Sequence, residues 1–555
     1  MSARLLAVFG VAVVIAVPAP VRCADAEKTK PPTAVVRLKS IDGLLDDFKY
    51  VAKHAGFAEE ANQIDGFLKA FLGDKESAID TKRPIGFYGA ISDDVINSDG
   101  LILLPVGDEQ AFVDLLGRFG FGAKKGKDDI YEGESTNIPI PVPIYFRIAN
   151  KYAYVTGRTK AALEKKNLPD PEKVLAVGGT ATAYASFNLD QIPDGLKQVA
   201  NGFLDLRLAE EQEKKQPGET KAQHALRAET IKGVGQQMQS LINEGGNLVV
   251  YFEVDQKNKE LAFEANFRGQ QRSKLAAQIA QLAQSQTLFA GLPSTNSALK
   301  LLLHWSFPEN IRQAFEPVID EGVQNLLRNA QDETQRTQAA KFFKSLEPTF
   351  KGGELDAGVS LMGPDSEKQY TIVGGFKLKE GMPVEQAIRD LAQLLPERDR
   401  GIIKFNADVA GAVKIHRADV QGLFNPEVRA ALGDNPIYFA VRPDAFLAAS
   451  GPDGLKALKT ALNGQPNSGP MVHFEVALAS LAPAMIQIAK ARGEKDAQEL
   501  IQKAVQEAFG KGEKGNDIAR VTFTGGPTLK ARYVVKTEAL TFFANIYRTR
   551  FDAAK

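Results

Sequence analysis

The sequence predicts an α+β protein with antiparallel sheets, helices packed on them, and an internal duplication. The first observation is a repeated landmark: Pro143–Phe146 and Pro436–Phe439 both read Pro-Ile-Tyr-Phe. Each is followed by a glycine, Gly157 or Gly451, at nearly the same spacing, and each glycine opens a helix-like stretch. The second observation is a recurring unit of strand, two helices, β-hairpin and helix. Together these observations predict a repeat architecture.

The first predicted unit begins at Ala34, where apolar side chains alternate as they do in a half-buried strand. Two helical patterns and a hairpin follow, and Asp108 suits the N-cap of the closing helix. The predicted elements are the strand 34–39, the helices 43–55 and 59–72, and the hairpin strands 85–91 and 100–106.

Three further units follow the same order. Their predicted opening strands are 181–187, 298–307 and 471–476, and their hairpins are 248–254 with 261–267, 357–362 with 370–378, and 520–524 with 529–535. The first and third units are longer, because each adds a small β-meander that contains the landmark and then a helix, predicted at 158–166 and 452–463. The last helix is predicted to bury Leu540, Phe543, Ala544, Tyr547 and Phe551 on one face.

The long-short-long-short order predicts two α+β halves, 27–291 and 297–555. The polar, glycine- and proline-containing stretch 291–296 has the composition of a joint between them. Each half is expected to place its hairpins in one sheet and its helices on that sheet. The alternative interpretations are chance similarity between generic α+β units, and four tandem units without a duplicated half.

The N-terminus is typical of a secretory signal peptide. Arg4 precedes an apolar run, Leu5–Val17, which is shorter than a membrane span, and Ala24–Ala26 has the small-x-small pattern of a cleavage site. Residues 1–26 are therefore predicted to be removed, and the protein is expected to be periplasmic or extracellular. An uncleaved anchor and acylation of Cys23 are the alternatives. After the leader, no apolar run is long enough for a membrane span.

Composition excludes several kinds of chemistry. The single cysteine, Cys23, lies in the leader, so no intramolecular disulfide, thiolate nucleophile or cysteine metal site is available in the mature chain. Lysine plus arginine and aspartate plus glutamate each number 68. This balance argues against nucleic acid as a partner, because nucleic acid requires a basic surface.

The candidate site residues are His304, Trp305 and His473. Both histidines lie in predicted opening strands, each is followed by an aromatic residue, and Trp305 is the only tryptophan. If these strands are neighbours, the histidines face one cleft and the group forms a ligand site. The alternative is ordinary core packing. Nucleophile-elbow, zinc, phosphate-loop and calcium-loop motifs do not occur, so no catalytic residue, metal or cofactor is predicted. A metal site formed only by carboxylate side chains is a remaining alternative.

These observations favour an exported, non-catalytic protein of the cell envelope with a binding or structural role. An apolar small ligand or an envelope protein is the expected partner. The alternative is an envelope hydrolase with a carboxylate or serine site that one sequence does not reveal. A cleft with convergent polar groups would favour the enzyme, an apolar cavity would favour ligand carriage, and a broad exposed apolar patch would favour assembly.

The layout of a leader followed by duplicated α+β units resembles exported bacterial proteins of the planctomycete type, whose function is not known. The resemblance covers the whole chain and rests on organisation, with no specific motif. It implies a signal peptide and identifies no site residue.

Overall fold

A computed structural model describes residues 32–553, except 73–77, 94–97, 136–142, 158, 285, 293–295, 329–331, 421 and 511–514. The predicted signal peptide, 1–26, lies outside the described residues.

The chain packs into two compact units. The first consists of Met1–Leu44 with Asp65–Lys197, and the second of Leu45–Ile64 with Gln198–Lys555. The protein is a mixed α and β structure with extensive antiparallel sheet, as predicted. The predicted halves describe repetition in the sequence. The division of the chain into compact units does not test that repetition.

Eight strands pair within the first unit in the order β8-β1-β2-β3-β7-β6-β5-β4, and every pairing is antiparallel. The strands are β1 (Ala34–Ser40), β2 (Pro84–Ala90), β3 (Asp99–Pro105), β4 (Phe121–Lys125), β5 (Tyr131–Ser135), β6 (Pro143–Ala149), β7 (Tyr152–Thr156) and β8 (Ala183–Asn188). Leu103, Tyr154 and Leu163 form the centre of one buried core of this unit, and Phe112 and Phe146 belong to another.

The helices in the first part of the chain are α1 (Ile41–His54), α2 (Ala58–Leu72), α3 (Glu109–Arg118) and α4 (Pro171–Val174). Asp108 caps α3 as predicted, because its carboxylate accepts the Ala111 N–H at 2.8 Å. The helix predicted at 158–166 is not α-helical. Two short 3₁₀ turns, Lys160–Leu163 and Lys165–Asn167, occupy its described part.

Twelve strands pair within the second unit in the order β9-β10-β22-β21-β20-β12-β13-β14-β18-β17-β16-β15, again all antiparallel. These strands are β9 (Gly245–Asp255), β10 (Glu260–Gly269), β12 (Ser297–Ser306), β13 (Glu354–Met362), β14 (Thr371–Lys377), β15 (Ile403–Ala410), β16 (Val413–Ala418), β17 (Ile437–Arg442), β18 (Ala445–Ser450), β20 (Val472–Ala477), β21 (Ile518–Thr524) and β22 (Leu529–Lys536). Two short strands, β11 (Gln286–Thr287) and β19 (Asn467–Ser468), pair separately.

The remaining helices are α5 (Asp194–Glu213), α6 (Lys221–Glu244), α7 (Lys274–Leu282), α8 (Glu309–Arg328), α9 (Glu333–Gly352), α10 (Gly381–Gln393), α11 (Pro426–Leu432), α12 (Gly454–Leu462), α13 (Leu478–Ala491), α14 (Lys495–Phe509) and α15 (Thr537–Ala553). Apart from the helix predicted at 158–166, the predicted strands and helices of the four units occur in the predicted order.

The last helix buries the predicted face only in part. Leu540 and Phe543 pack partly buried against the core, but the most buried apolar residues are Ala539 and Phe542, and Tyr547 is 63% exposed. The side chain of Phe551 lies outside the described part of the chain. The helix has apolar residues on more than one side, and the sequence does not say which side meets the sheet.

The landmark glycine of the second half has a clear structural role. Gly451 has φ +106°, and a Cβ atom at this position would lie 2.2 Å from the carbonyl oxygen of Tyr370. Only glycine fits such a backbone conformation and such a close approach. The landmark is therefore a packing feature at the entry to α12.

Candidate functional site

Nine neighbouring strands of the second unit share one apolar face. Cross-strand pairs such as Phe263 with Tyr533 and Leu301 with Phe474 fix the register. Because successive side chains of a strand point to opposite faces, the register assigns alternate residues to the same side of the sheet. This apolar face consists of Leu248, Val250, Phe252, Val254, Leu261, Phe263, Ala265, Phe267, Leu529, Ala531, Tyr533, Val535, Ala519, Val521, Phe523, Val472, Phe474, Val476, Leu299, Leu301, Leu303, Trp305, Leu355, Ala357, Val359, Leu361, Ile372, Gly374, Phe376, Phe446, Ala448 and Ser450.

The side chains of the apolar face contain few polar atoms. Only Trp305, Ser450 and Tyr533 carry a side-chain nitrogen or oxygen there. The opposite face is charged at β10 and β22, where it carries Glu264 and Arg532, whereas on β12, β14 and β18 it belongs to a separate buried apolar core. An antiparallel sheet with this alternation normally buries its apolar face under other elements.

Helices cover the apolar face incompletely. At one end α13, α14 and α15 pack on Val476, Ala519 and Val535, and towards β18 the helices α9 and α10 pack near Phe446. Between these covered regions seven large apolar side chains are 36% to 46% exposed. They are Phe263, Leu301, Trp305, Leu355, Phe376, Phe523 and Tyr533.

We call these seven side chains the apolar groove. They run across seven strands, from β10 to β14, which corresponds to about 29 Å at the ~4.8 Å spacing of neighbouring strands. Their exposed area is on the order of 500 Å², since a large aromatic side chain presents roughly 200 Å² when free. A patch of this size lies at the upper end for monomeric proteins and is often functional.

The structure brings His304 and His473 together but separates them from Trp305. Strands β12 and β20 are direct neighbours, with Leu302 opposite His473, so the two histidines share the face opposite the groove. Trp305 lies in the groove and is 43% exposed. The predicted three-residue group is therefore divided between the two faces of the sheet.

His304 belongs to a buried polar cluster. Its Nδ1 lies 3.6 Å from a carboxylate oxygen of Asp356, which accepts the Thr287 hydroxyl at 2.6 Å and the Leu288 N–H at 2.8 Å. The hydroxyl of Thr287 donates to a carboxylate, so it is not paired with the imidazole as a nucleophile would be. This arrangement fastens the segment before β12 to the sheet.

His416, in β16, is fully buried. Its Nδ1 accepts the Asn406 N–H at 3.0 Å, and its Nε2 lies 3.5 Å from a carboxylate oxygen of Glu385. Burial lowers the pKa of His416, and the nearby positive charges of Arg389 and Lys414 add to this effect, although Glu385 opposes it. The neutral imidazole is the form that this site accommodates.

We expect His416 to make the protein sensitive to mild acid. Because its folded pKa is depressed, its contribution to stability is complete above the ordinary pKa near 6.5 and is lost as the pH falls towards the folded value. The free energy of unfolding should therefore fall between pH 7 and pH 5, and more steeply in wild type than in a protein without this imidazole. Urea denaturation of wild type and His416→Gln across this range measures the effect, and an equal slope in both proteins would contradict it.

The charged face contains a buried carboxylate at the pairing of β10 with β22. Glu264 is 1% exposed, and its oxygens accept from Lys530 at 2.7 Å, Arg532 at 2.8 Å and Asn266 at 2.9 Å. Burial opposes ionisation of Glu264, but the bonds from Lys530, Tyr251, Asn266 and Arg532 outweigh it and lower the pKa to about 2. The cluster ties together strands from the two predicted halves.

A shallow cavity of about 470 Å³ lies beside the second landmark. Tyr438, Gly451 and Lys456 are among its lining residues, and Lys459 at its edge is paired with Asp408 at 2.7 Å. It has no convergent set of buried polar groups.

The described residues lack both a metal-binding cluster and a membrane-spanning helix. No group of three or more histidine, cysteine, aspartate or glutamate side chains there is arranged to hold a metal ion. Within the same residues, no helix is both long enough and apolar enough to cross a bilayer.

The apolar groove is not evident from the sequence alone. Its signal was present in each strand, for example in the alternation of Leu261, Phe263, Ala265 and Phe267. The alternation predicts which residues share a face, but the coverage of that face depends on where distant helices pack. Only the structure reveals that the helices leave the middle of the face open.

Comparisons with models of protein families, with curated proteins and with solved structures gave no match to this chain.

Proposed function

We propose that this protein is an exported, non-catalytic binding protein that holds a lipid-like ligand in the apolar groove. The observation that carries the proposal is the set of seven exposed apolar side chains on a sheet face that has almost no polar atoms. Transfer of such side chains from water to a hydrocarbon environment is favourable by about 25 cal/mol per Å². A hydrocarbon ligand provides that environment.

The dimensions of the groove support an elongated ligand. Its length of about 29 Å is close to the ~30 Å hydrocarbon thickness of a bilayer, which two opposed acyl chains span. Helices cover other parts of the same sheet face, so a thin flexible chain has easier access to these side chains than the flat surface of a protein has. This geometry favours a lipid-like ligand over an envelope protein as the partner.

The chemistry of the groove supports binding over hydrolysis. The apolar face contains no histidine, carboxylate, lysine or cysteine, and its one serine, Ser450, is buried with no hydrogen-bond partner for its hydroxyl. An ester bound there would meet no activated nucleophile from the sheet. The hydrolase alternative would require catalytic groups from elsewhere in the chain.

Export and internal duplication are proposed on other observations than the ligand is. Export rests on the leader sequence 1–26. Duplication is supported by two matching orders of paired strands, β1-β2-β3-β7-β6-β5-β4 in the first unit and β12-β13-β14-β18-β17-β16-β15 in the second. In both, the meander that contains the landmark returns to pair with the second strand of the hairpin.

Quenching of Trp305 fluorescence tests the proposed ligand class. Trp305 is the only tryptophan and lies in the groove, so its emission reports on this site alone. We expect dibromostearic acid to quench the emission saturably, and unbrominated stearic acid to compete with it and to shift the emission to the blue.

Bromoethanol provides the control for simple collision, because a small soluble quencher should act linearly and without competition by stearic acid. Linear, non-competable quenching by dibromostearic acid as well would overturn the proposed function. Val409→Ser removes an apolar side chain that is 57% exposed outside the apolar face and should leave the saturable quenching unchanged.

A further inference from the structure

Helices α5 and α6 each expose an apolar stripe. Val199, Phe203 and Leu206 on α5 are 56% to 67% exposed. A second stripe, on α6, has the same i, i+4, i+7 spacing and is 37% to 51% exposed, with members Val234, Met238 and Leu241. Such stripes normally face a core.

These helices differ from their counterparts at the end of the chain. The segments from β8 to α7 and from β20 to α15 have the same order of elements. In the later segment Ile501, Val505 and Ala508 of α14 repeat the i, i+4, i+7 spacing and pack in the core that covers Val476, Ala519 and Val535. Helix α14 thus shows what such a stripe does when it lies against the apolar face.

Helices α5 and α6 pack on each other without such a core. Their only buried residues are Lys197 and Gly235. Leu208 approaches Gly235 so closely that an added Cβ would clash, and Gln239 donates to Asp205 at 2.7 Å. The sheet positions that follow α6, Leu248 and Val250, are only half-buried.

The position of α6 connects its stripe with the groove. Helix α6 packs along α8, where Asn310 donates to Glu229 at 2.8 Å. Helix α8 packs on α9, and Leu346 of α9 belongs to the core that includes Phe446 on the apolar face. Helix α6 is therefore connected through α8 to the helix that covers the apolar face near Phe446.

We propose that the α5–α6 pair forms the second wall of the groove, so that the hydrocarbon part of the ligand lies between its stripes and the sheet. This inference rests on the proposed function and adds the ligand-contacting residues of the helices. The ligand replaces the contacts that α14 makes directly with the sheet in the later segment, which explains why both apolar surfaces stay exposed without it.

Photolabelling with a diazirine-bearing palmitic acid tests the second wall on the full chain. We expect saturable adducts on the α5 and α6 stripes, at Phe203 and Met238, as well as on the sheet at Phe263 or Trp305. Adducts confined to the sheet would overturn the second wall but leave the proposed function standing. No saturable labelling at any of these residues would overturn the proposed function and the second wall together.

Two variants provide an independent measurement. Phe203→Gln and Met238→Gln should each weaken stearic acid binding about 5-fold or more. Thermal unfolding of the ligand-free protein should change little, because Phe203 is 67% and Met238 45% exposed. Leu423→Gln is the matched control, since Leu423 is 70% exposed and lies outside the proposed site. Equal affinity in all three variants would overturn the second wall.

Discussion

Glu264→Gln is expected to destabilise the protein by about 3 kcal/mol at neutral pH. The substitution removes the buried negative charge and leaves the positive charges of Lys530 and Arg532 without their carboxylate partner. Removal of one member of a buried ion pair typically costs 3–5 kcal/mol. We expect the lower end of this range because both cations keep some contact with water. Urea denaturation of wild type and variant at pH 7 measures the difference.

The same comparison has a defined pH dependence. The pKa of Glu264 is lowered from 4.5 to about 2, so its stabilisation is complete above its ordinary pKa and is lost as the pH falls through the folded value. The stability difference between wild type and variant should shrink between about pH 5 and pH 2. Glu333→Gln removes an exposed partner of Arg336 and should change stability by less than about 1 kcal/mol at any pH. A Glu264→Gln effect no larger than this control would contradict the assignment.

The local structure was predictable because it depends on short-range patterns. The hairpin formed by β9 and β10 follows from alternation on both sides of a polar turn, and its pairing of Leu261 with Val254 is that of a simple hairpin. The N-cap Asp108 was likewise visible from its own side-chain chemistry. Such features need no information about distant parts of the chain.

The candidate site was less predictable because it depends on long-range pairing. The sequence placed His304, Trp305 and His473 in opening strands, and β12 and β20 are indeed neighbours. Alternation within β12 nevertheless puts Trp305 on the face opposite His304. The pairing of β10 with β22, which extends the apolar face between the predicted halves, joins residues far apart in sequence and has no local signal.

Replacing both aromatic residues at the pairing of β10 with β22 should weaken ligand binding strongly. Phe263 and Tyr533 lie directly opposite each other and are 46% and 45% exposed. In Phe263→Ser/Tyr533→Ser each lost ring contact with a hydrocarbon chain should cost about 1 kcal/mol, which together corresponds to a ~30-fold rise in Kd for stearic acid. Competition against dibromostearic acid, read from Trp305 fluorescence, measures the change.

The free energy of unfolding of the double variant distinguishes a loss of ligand contacts from damage to the sheet. Each ring is about half buried, so the double substitution should lower the free energy of unfolding by about 2 kcal/mol, less than the 3–5 kcal/mol typical of a single fully buried aromatic side chain. A loss of several kcal/mol would instead mean that the rings serve the core, and unchanged affinity would mean that the ligand lies elsewhere. The groove interpretation requires both a large change in Kd and a small change in stability. The exposed part of each ring makes no contact in the ligand-free protein, so its contacts contribute to ligand binding and not to folding.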